Sequence, residues 1–119
     1  LGSNDWFSGV ALETFRANTL AMLTAAAEGA SGALLFIVTP PPAAREPAEP
    51  VAPLDAYRTA LVEVAREFAG ECIIIDGATL VDTEKGHFTP DGVHFSEKGF
   101  AAYAARLISV KRFREALSA

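Results

Sequence analysis

The chain has 119 residues, of which 50% are hydrophobic and 21% are charged, and its formal net charge at pH 7 is -5. This length and composition are typical of one globular domain at most. The longest uninterrupted apolar run, residues 33–38, is far shorter than the roughly 20 residues that cross a bilayer, so no membrane span is predicted. The excess of acidic residues argues against a nucleic-acid partner, and the single cysteine, Cys72, excludes an internal disulfide.

The first half of the chain is predicted to form a helix, a strand and a stiff loop. Residues 10–28 are rich in Ala, Leu and Thr at near-helical spacing, and Gly29 follows them, which predicts a helix that ends there. The apolar residues 33–38 are typical of a strand buried on both faces of a parallel sheet. Residues 39–53 include six prolines, which exclude both regular elements and predict an extended loop.

The second half is predicted to contain a helix, a second strand and a last helix. Apolar residues recur every three or four positions over residues 54–68, which predicts a helix with one buried face. Residues 72–76 form a β-branched run typical of a buried strand. After an irregular stretch, Ser96 is a good N-cap for a last helix that turns its apolar side chains inward, and these are Phe100, Tyr103, Leu107 and either Val110 or Phe113.

The order of these elements predicts an α/β fold with parallel strands. Two buried strands can neither hide both faces of a sheet nor satisfy its edges, so we expect further strands to come from outside the chain. Residues 1–5 are typical of the end of a hydrophobic strand that enters a polar loop, which also predicts a preceding segment.

A cluster of chemically active residues, with the sequence DGVH at 91–94, stands ahead of the last helix. On a turn, a carboxylate three residues before a histidine reaches the imidazole Nδ1–H and leaves Nε2 free to act as a base. Asp91 and His94 are therefore candidates for two members of a catalytic triad. The flanking Phe88 and Phe95 are expected to anchor this turn.

Asn4 is the third candidate for a functional residue. It is predicted to lie in a glycine-containing loop at the carboxyl end of a strand, the edge of an α/β sheet where ligands usually bind. An asparagine amide there can donate a hydrogen bond to a developing oxyanion. The neighbouring Trp6 and Phe7 either line a substrate pocket or cover the hydrophobic core, and the sequence leaves both alternatives open.

His87, the other histidine, lies close in sequence to Asp82 and Glu84, an arrangement that also occurs in metal sites. Two histidines separated by six loop residues lack the spacing of a compact structural metal site, so we predict none. His87 is instead expected in a mixed-charge surface loop. Asp76, which ends the second strand, is expected to start a loop by an Asx hydrogen bond.

Three blocks of the sequence resemble the SGNH hydrolases, also called the GDSL esterase/lipase family. They are GSND at 2–5, the first buried strand followed by TPPP, and DGVHFSEKGF at 91–100. Their order and spacing match across essentially the whole chain. The resemblance implies a flavodoxin-like three-layer α/β/α sandwich with a parallel sheet, of which residues 1–119 supply the C-terminal strands and helices of one domain.

The resemblance also implies roles for the matching residues. Asn4 corresponds to the asparagine of the oxyanion hole, His94 to the general base and Asp91 to the residue that orients it. The implied reaction is hydrolysis of a small-molecule carboxylic ester, first of all a short-chain ester, with sugar O-acetyl groups, lysophospholipids and thioesters as alternatives. No metal or organic cofactor is implied.

The sequence departs from the family pattern at the nucleophile. Family members carry the serine in a Gly-Asp-Ser block after the first strand, and a later block supplies a glycine N–H to the oxyanion hole. Neither block occurs in this chain. We therefore expect an N-terminal segment or a companion chain to carry the nucleophilic serine, because Ser3 occupies a variable spacer position. The alternative function is an SGNH-like module that binds a ligand or partner without turnover.

Overall fold

A computed structural model describes residues 1–30 and 32–118. Within these residues the chain forms helices and strands in the predicted alternating order, and residues 39–53 form neither, as their prolines predict. None of the helices in the described ranges is long and apolar enough to cross a membrane. The elements are α1 (Ser3–Phe7), α2 (Leu12–Gly29), β1 (Leu35–Val38), α3 (Leu54–Glu67), β2 (Cys72–Ile75), a 3-10 turn (Gly77–Thr79), α4 (Glu97–Ser109) and α5 (Lys111–Ser118).

The chain packs as two compact units. The first consists of Leu1–Pro40 and Pro47–Ile75, and it contains both strands and the helices α1, α2 and α3. The second consists of Pro41–Glu46 and the chain from Asp76 onward, and it contains α4 and α5. The carboxyl ends of β1 and β2 therefore belong to the first unit, and the DGVH sequence belongs to the second.

The sheet of the first unit is formed by β1 and β2, which pair in parallel with Val38 opposite Ile75. The backbone N–H of Thr39 continues this ladder to the carbonyl of Ile75 at 3.0 Å. In the part of the chain that the structure describes, the sheet has these two strands, so each has one unpaired edge. The predicted burial on both faces is only partly present, because Ile37 and Ile75 are buried while the other strand residues are half-buried.

The core of the first unit lies between α2 and α3. Helix α3 buries Tyr57, Leu61 and Val64 on one face, as their spacing predicts. The ring of Tyr57 packs against Phe15 of α2 with ring centroids 5.3 Å apart, and its hydroxyl donates to the carbonyl of Val10. Burial of each such side chain stabilises the fold by about 1.5–3 kcal/mol, so the packing of this helix pair contributes substantially to the stability of the first unit.

Helix α4 begins at the N-cap predicted from the sequence. The Oγ of Ser96 accepts the N–H of Gly99 at 3.1 Å, which satisfies one of the free donors at the helix start. The helix ends at Ser109, because Val110 has extended backbone angles, φ -66° and ψ 119°. The last helix, predicted as one element, is therefore two.

Phe100 differs from its predicted position. It is 62% exposed, although it was expected to turn inward. The reason is the close packing of Gly99, where an added Cβ would overlap the carbonyl oxygen of His87, so that this side of α4 is the buried one. Phe100 lies beside that contact and, like Ile108 two turns later, faces outward.

Candidate active site

The candidate site of the second unit is a hairpin-like turn of residues 86–96, which leads into α4 and is called the 86–96 turn below. Phe88 and Phe95 form an antiparallel bridge, and their rings meet edge to face with centroids 5.5 Å apart. One step further out, the N–H of Thr89 donates to the carbonyl of His94 at 2.8 Å. The anchoring role predicted for the two phenylalanines is confirmed.

Asp91 and His94 are joined at the tip of the 86–96 turn. Nδ1 of His94 lies 2.5 Å from Oδ2 of Asp91, which confirms the hydrogen bond predicted from their spacing. Because a carboxylate accepts at this position, Nδ1 carries the ring proton and Nε2 is the unprotonated nitrogen of the neutral imidazole. The side chain of His94 is 78% exposed, so most of the imidazole faces solvent.

The carboxylate of Asp91 is held in place by its own turn. Its Oδ1 accepts the hydroxyl of Thr89 at 2.7 Å and the backbone N–H groups of Val93 at 2.8 Å and His94 at 3.0 Å. The backbone N–H of His94, followed by its imidazole, holds the pKa of Asp91 well below its usual range, and Val93 and Thr89 lower the pKa further. Sequence reasoning missed Thr89, although Thr and Asp around a proline are a recognisable turn signal.

Gly92 allows the tip of the turn to pack closely against the proline-rich loop. Its φ of +73° is a conformation that glycine adopts without strain, and an added Cβ would lie 2.7 Å from the Cβ of Arg45. The N–H of Ala44 donates to the carbonyl of Gly92 at 3.0 Å. The loop therefore holds the tip that carries Asp91, a contact between segments far apart in the sequence.

Asn4 lies in the first unit, on the exposed side of α1, whereas Asp91 and His94 lie in the second. The predicted loop around Asn4 is wrong: Gly2, with φ +99°, caps a helical turn and accepts the N–H of Trp6 at 2.9 Å. Gly2, two residues before Asn4, packs closely enough on the first residues after β1 that an added Cβ would lie 3.1 Å from the side chain of Pro40.

Burial tests the alternatives left open for Trp6 and Phe7, and hydrogen bonding tests the prediction for Asp76. Trp6 is 3% exposed, so of the two alternatives it belongs to the core, while Phe7 is half-buried. The indole Nε1 of Trp6 has no hydrogen-bond partner among the described residues. Asp76 accepts the N–H of Ala78 at 3.0 Å, which confirms the predicted Asx hydrogen bond.

His87 does not lie on the surface, as its mixed-charge surroundings predicted. It is 4% exposed, and its Nδ1 accepts the backbone N–H of Asp82 at 2.9 Å. The expectation was wrong because nearby charged residues do not determine which way a loop side chain turns. In the described ranges, no group of three or more His, Cys, Asp or Glu side chains could hold a metal ion.

Comparison with known protein families identifies the family of this chain. The model of the GDSL-like Lipase/Acylhydrolase family matches residues 1–102, a range that includes Asn4, Asp91 and His94. No curated protein and no solved structure matches the chain. The chain therefore belongs to the GDSL-like lipase and acylhydrolase family, with the SGNH-type α/β fold and the general acylhydrolase function of that family.

Proposed function

We propose that the chain takes part in the hydrolysis of carboxylic esters by a serine mechanism. In this mechanism His94 is the general base and Asp91 positions it. The observation that carries this proposal is the 2.5 Å contact between Nδ1 of His94 and Oδ2 of Asp91 on a ring that is 78% exposed. The carboxylate keeps the ring proton on Nδ1 and stabilises the imidazolium that forms when Nε2 accepts a proton.

The reaction proceeds in two halves. A serine hydroxyl attacks the acyl carbonyl as its proton passes to Nε2 of His94, and the side-chain amide of Asn4 donates to the oxyanion of the tetrahedral intermediate. The intermediate collapses when the alcohol leaves with the proton from His94. Water then attacks the acyl-serine with the same proton transfers, which releases the acid and restores the serine.

The serine is supplied by an N-terminal segment or a companion chain, and residues 1–119 are the C-terminal portion of one SGNH domain. The sequence has no Gly-Asp-Ser block. Ser96 is the N-cap of α4, and Ser3, the first residue of α1, occupies a position that is a variable spacer in the family. The unpaired edges of β1 and β2, within the described residues, are suited to pairing with further strands.

The proposed substrate is a small-molecule ester, with a short-chain carboxylic ester as the first choice. Sugar O-acetyl groups, lysophospholipids and thioesters are the other classes to compare, and a panel with one member of each class ranks them by kcat/KM.

A fluorophosphonate probe, applied to the native protein that contains this segment and followed by intact-mass spectrometry, tests the proposal. We expect an adduct on a serine outside residues 1–119. We expect His94→Ala to abolish both the labelling and ester hydrolysis, because no base remains to activate the serine. If a folded protein with the serine present takes no adduct and hydrolyses no ester, the chain belongs instead to a non-catalytic SGNH-like binding module.

The amide of Asn4 is tested separately. Asn4→Ala removes a donor to the oxyanion, so kcat is expected to fall by about 10²–10³-fold with a much smaller change in KM. Asn18→Ala is the matched control, because Asn18 is an exposed asparagine of α2 in the same unit and has no proposed role. Equal activities of the two variants would remove Asn4 from the mechanism.

A further inference from the structure

We propose that His87 is a positioning residue: its buried ring fixes the base of the 86–96 turn and thereby the geometry of the Asp91–His94 pair. The meaning of this inference for catalysis rests on the proposed function, since it assumes that His94 is the base. The inference itself concerns contacts within the second unit. His87 is not a catalytic residue, because its ring is 4% exposed and cannot reach a substrate.

The ring of His87 is fixed by a hydrogen bond to the main chain. Its Nδ1 accepts the N–H of Asp82 at 2.9 Å, so that nitrogen has no proton and the neutral ring carries its proton on Nε2. Asp82 is itself fixed, because its Oδ2 accepts a hydrogen bond from Arg106 of α4 at 2.7 Å. The ring therefore connects the start of the turn to a segment that is tied to α4.

The backbone of His87 is fixed from the opposite side. Its carbonyl accepts the N–H of Ser96 at 2.9 Å, and the hydroxyl of Ser96 donates to the carbonyl of Gly86 at 2.5 Å. The first turn of α4 packs directly against this carbonyl at Gly99, where a Cβ could not be accommodated. His87 is thus the point at which the preceding segment, the base of the turn and the helix start meet.

Successive contacts lead from this base to the reacting pair. The first beyond His87 is the bridge between Phe88 and Phe95, and the second is the hydrogen bond from Thr89 to the carbonyl of His94. Thr89 also donates through its hydroxyl to Asp91. Because these contacts are consecutive, a shift of His87 at the start of the turn changes the separation of the two arms of the turn. The alignment of Asp91 and His94 changes with that separation.

Three substitutions of His87 separate positioning from general stability. In His87→Asn, Oδ1 takes the place of Nδ1 and can accept the same N–H. His87→Leu has similar bulk and no acceptor, and His87→Gln places its oxygen near the position of Nε2. All three are compared in the complete protein that carries the serine, with circular dichroism to establish that each variant is folded.

We expect His87→Leu and His87→Gln to lower kcat about tenfold or more with little change in KM, because small misalignments of a catalytic group affect the chemical step. His87→Asn is expected to restore most of kcat. If the leucine variant does not fold, the difference in kcat between the asparagine and glutamine variants tests the positioning role. Equal kcat for all folded variants and the native protein would overturn the proposal.

A proton NMR measurement without substrate separates this inference from the proposed function. The Nδ1–H of His94 in a short hydrogen bond to Asp91 should give a downfield resonance, assigned by its loss in His94→Ala. We expect the resonance to broaden or shift in His87→Leu and to persist in His87→Asn. If it responds in this way while the native protein hydrolyses no ester, the positioning role stands and the proposed function fails. An unchanged resonance in folded His87→Leu would overturn the positioning role.

Discussion

Asp91 combines two functions in one side chain, because one carboxylate oxygen organises the turn and the other contacts His94. Oδ1 accepts three hydrogen bonds from the turn, which leaves Oδ2 directed at Nδ1 of His94. The hydroxyl of Thr89 and the two backbone donors thus orient the carboxylate before any substrate is bound. This preorganisation is the residue-scale feature on which the proposed general base depends.

The lowered pKa of Asp91 predicts how its contribution to stability depends on pH. The hydrogen bonds stabilise the ionised form in the folded state, so the contribution is fully present above the unfolded pKa of about 4 and is lost as pH falls toward the lower folded pKa. The difference in unfolding free energy between the native protein and Asp91→Asn should therefore shrink between about pH 5 and pH 2. Urea unfolding across this range measures it, and a difference that does not vary with pH would contradict the prediction.

The residue-scale contacts were only partly predictable from the sequence. The contact of Asp91 with His94 was predictable because they are three positions apart on a turn, and local geometry alone brings them together. The burial of His87 was not predictable, since it depends on Asp82 and on the packing of α4 at Gly99. The charged residues around His87 led to the wrong expectation of a surface position.

At the scale of elements, the close approach of α4 to the 86–96 turn predicts a large effect of a single methyl group. Gly99→Ala would place a Cβ against the carbonyl of His87, so we expect it to lower the unfolding free energy by about 1–3 kcal/mol through overpacking. Gly29→Ala at the end of α2 is the matched control, because a Cβ there meets nothing within 4 Å. Chemical denaturation measures the unfolding free energy of both variants, and similar stabilities of the two would contradict this packing.

Helices with strong periodicity followed the prediction, and short or terminal ones did not. The one-sided apolar spacing of residues 54–68 predicted α3, and its buried face follows that spacing. The helical turn at Asn4 has only five residues, and its start depends on Gly2 packing against Phe15 and Pro40. Such a short helix has too little local signal to be recognised without its tertiary contacts.

At the scale of the whole molecule, the open edges of the sheet predict that the 119 residues do not fold cooperatively by themselves. Within the described residues the sheet has two strands, and large apolar side chains such as Leu34, Phe100 and Ile108 are exposed. Urea titration of the isolated 119 residues, followed by circular dichroism, should give a gradual change, whereas a protein that also contains the proposed N-terminal segment or companion chain should give a sigmoidal one. A cooperative transition of the isolated chain would contradict this expectation.

The amino-acid sequence by itself determined the α/β order, the family and the pairing of Asp91 with His94. Each of these depends on local information: apolar spacing selects helix or strand, and a three-residue separation on a glycine-containing turn brings a carboxylate to an imidazole. The same local information placed the N-cap of α4 at Ser96. These features are determined locally because they need no partner from a distant part of the chain.

Only the tertiary structure decided which of these residues are buried and what holds them. The burial of His87, the outward position of Phe100 and the contact of the proline-rich loop with Gly92 each require a partner brought near by folding. The apolar periodicity likewise did not predict that α4 ends at Ser109, before the extended Val110. The physical reason is that spacing defines the faces of an element, whereas burial depends on which other element packs against each face.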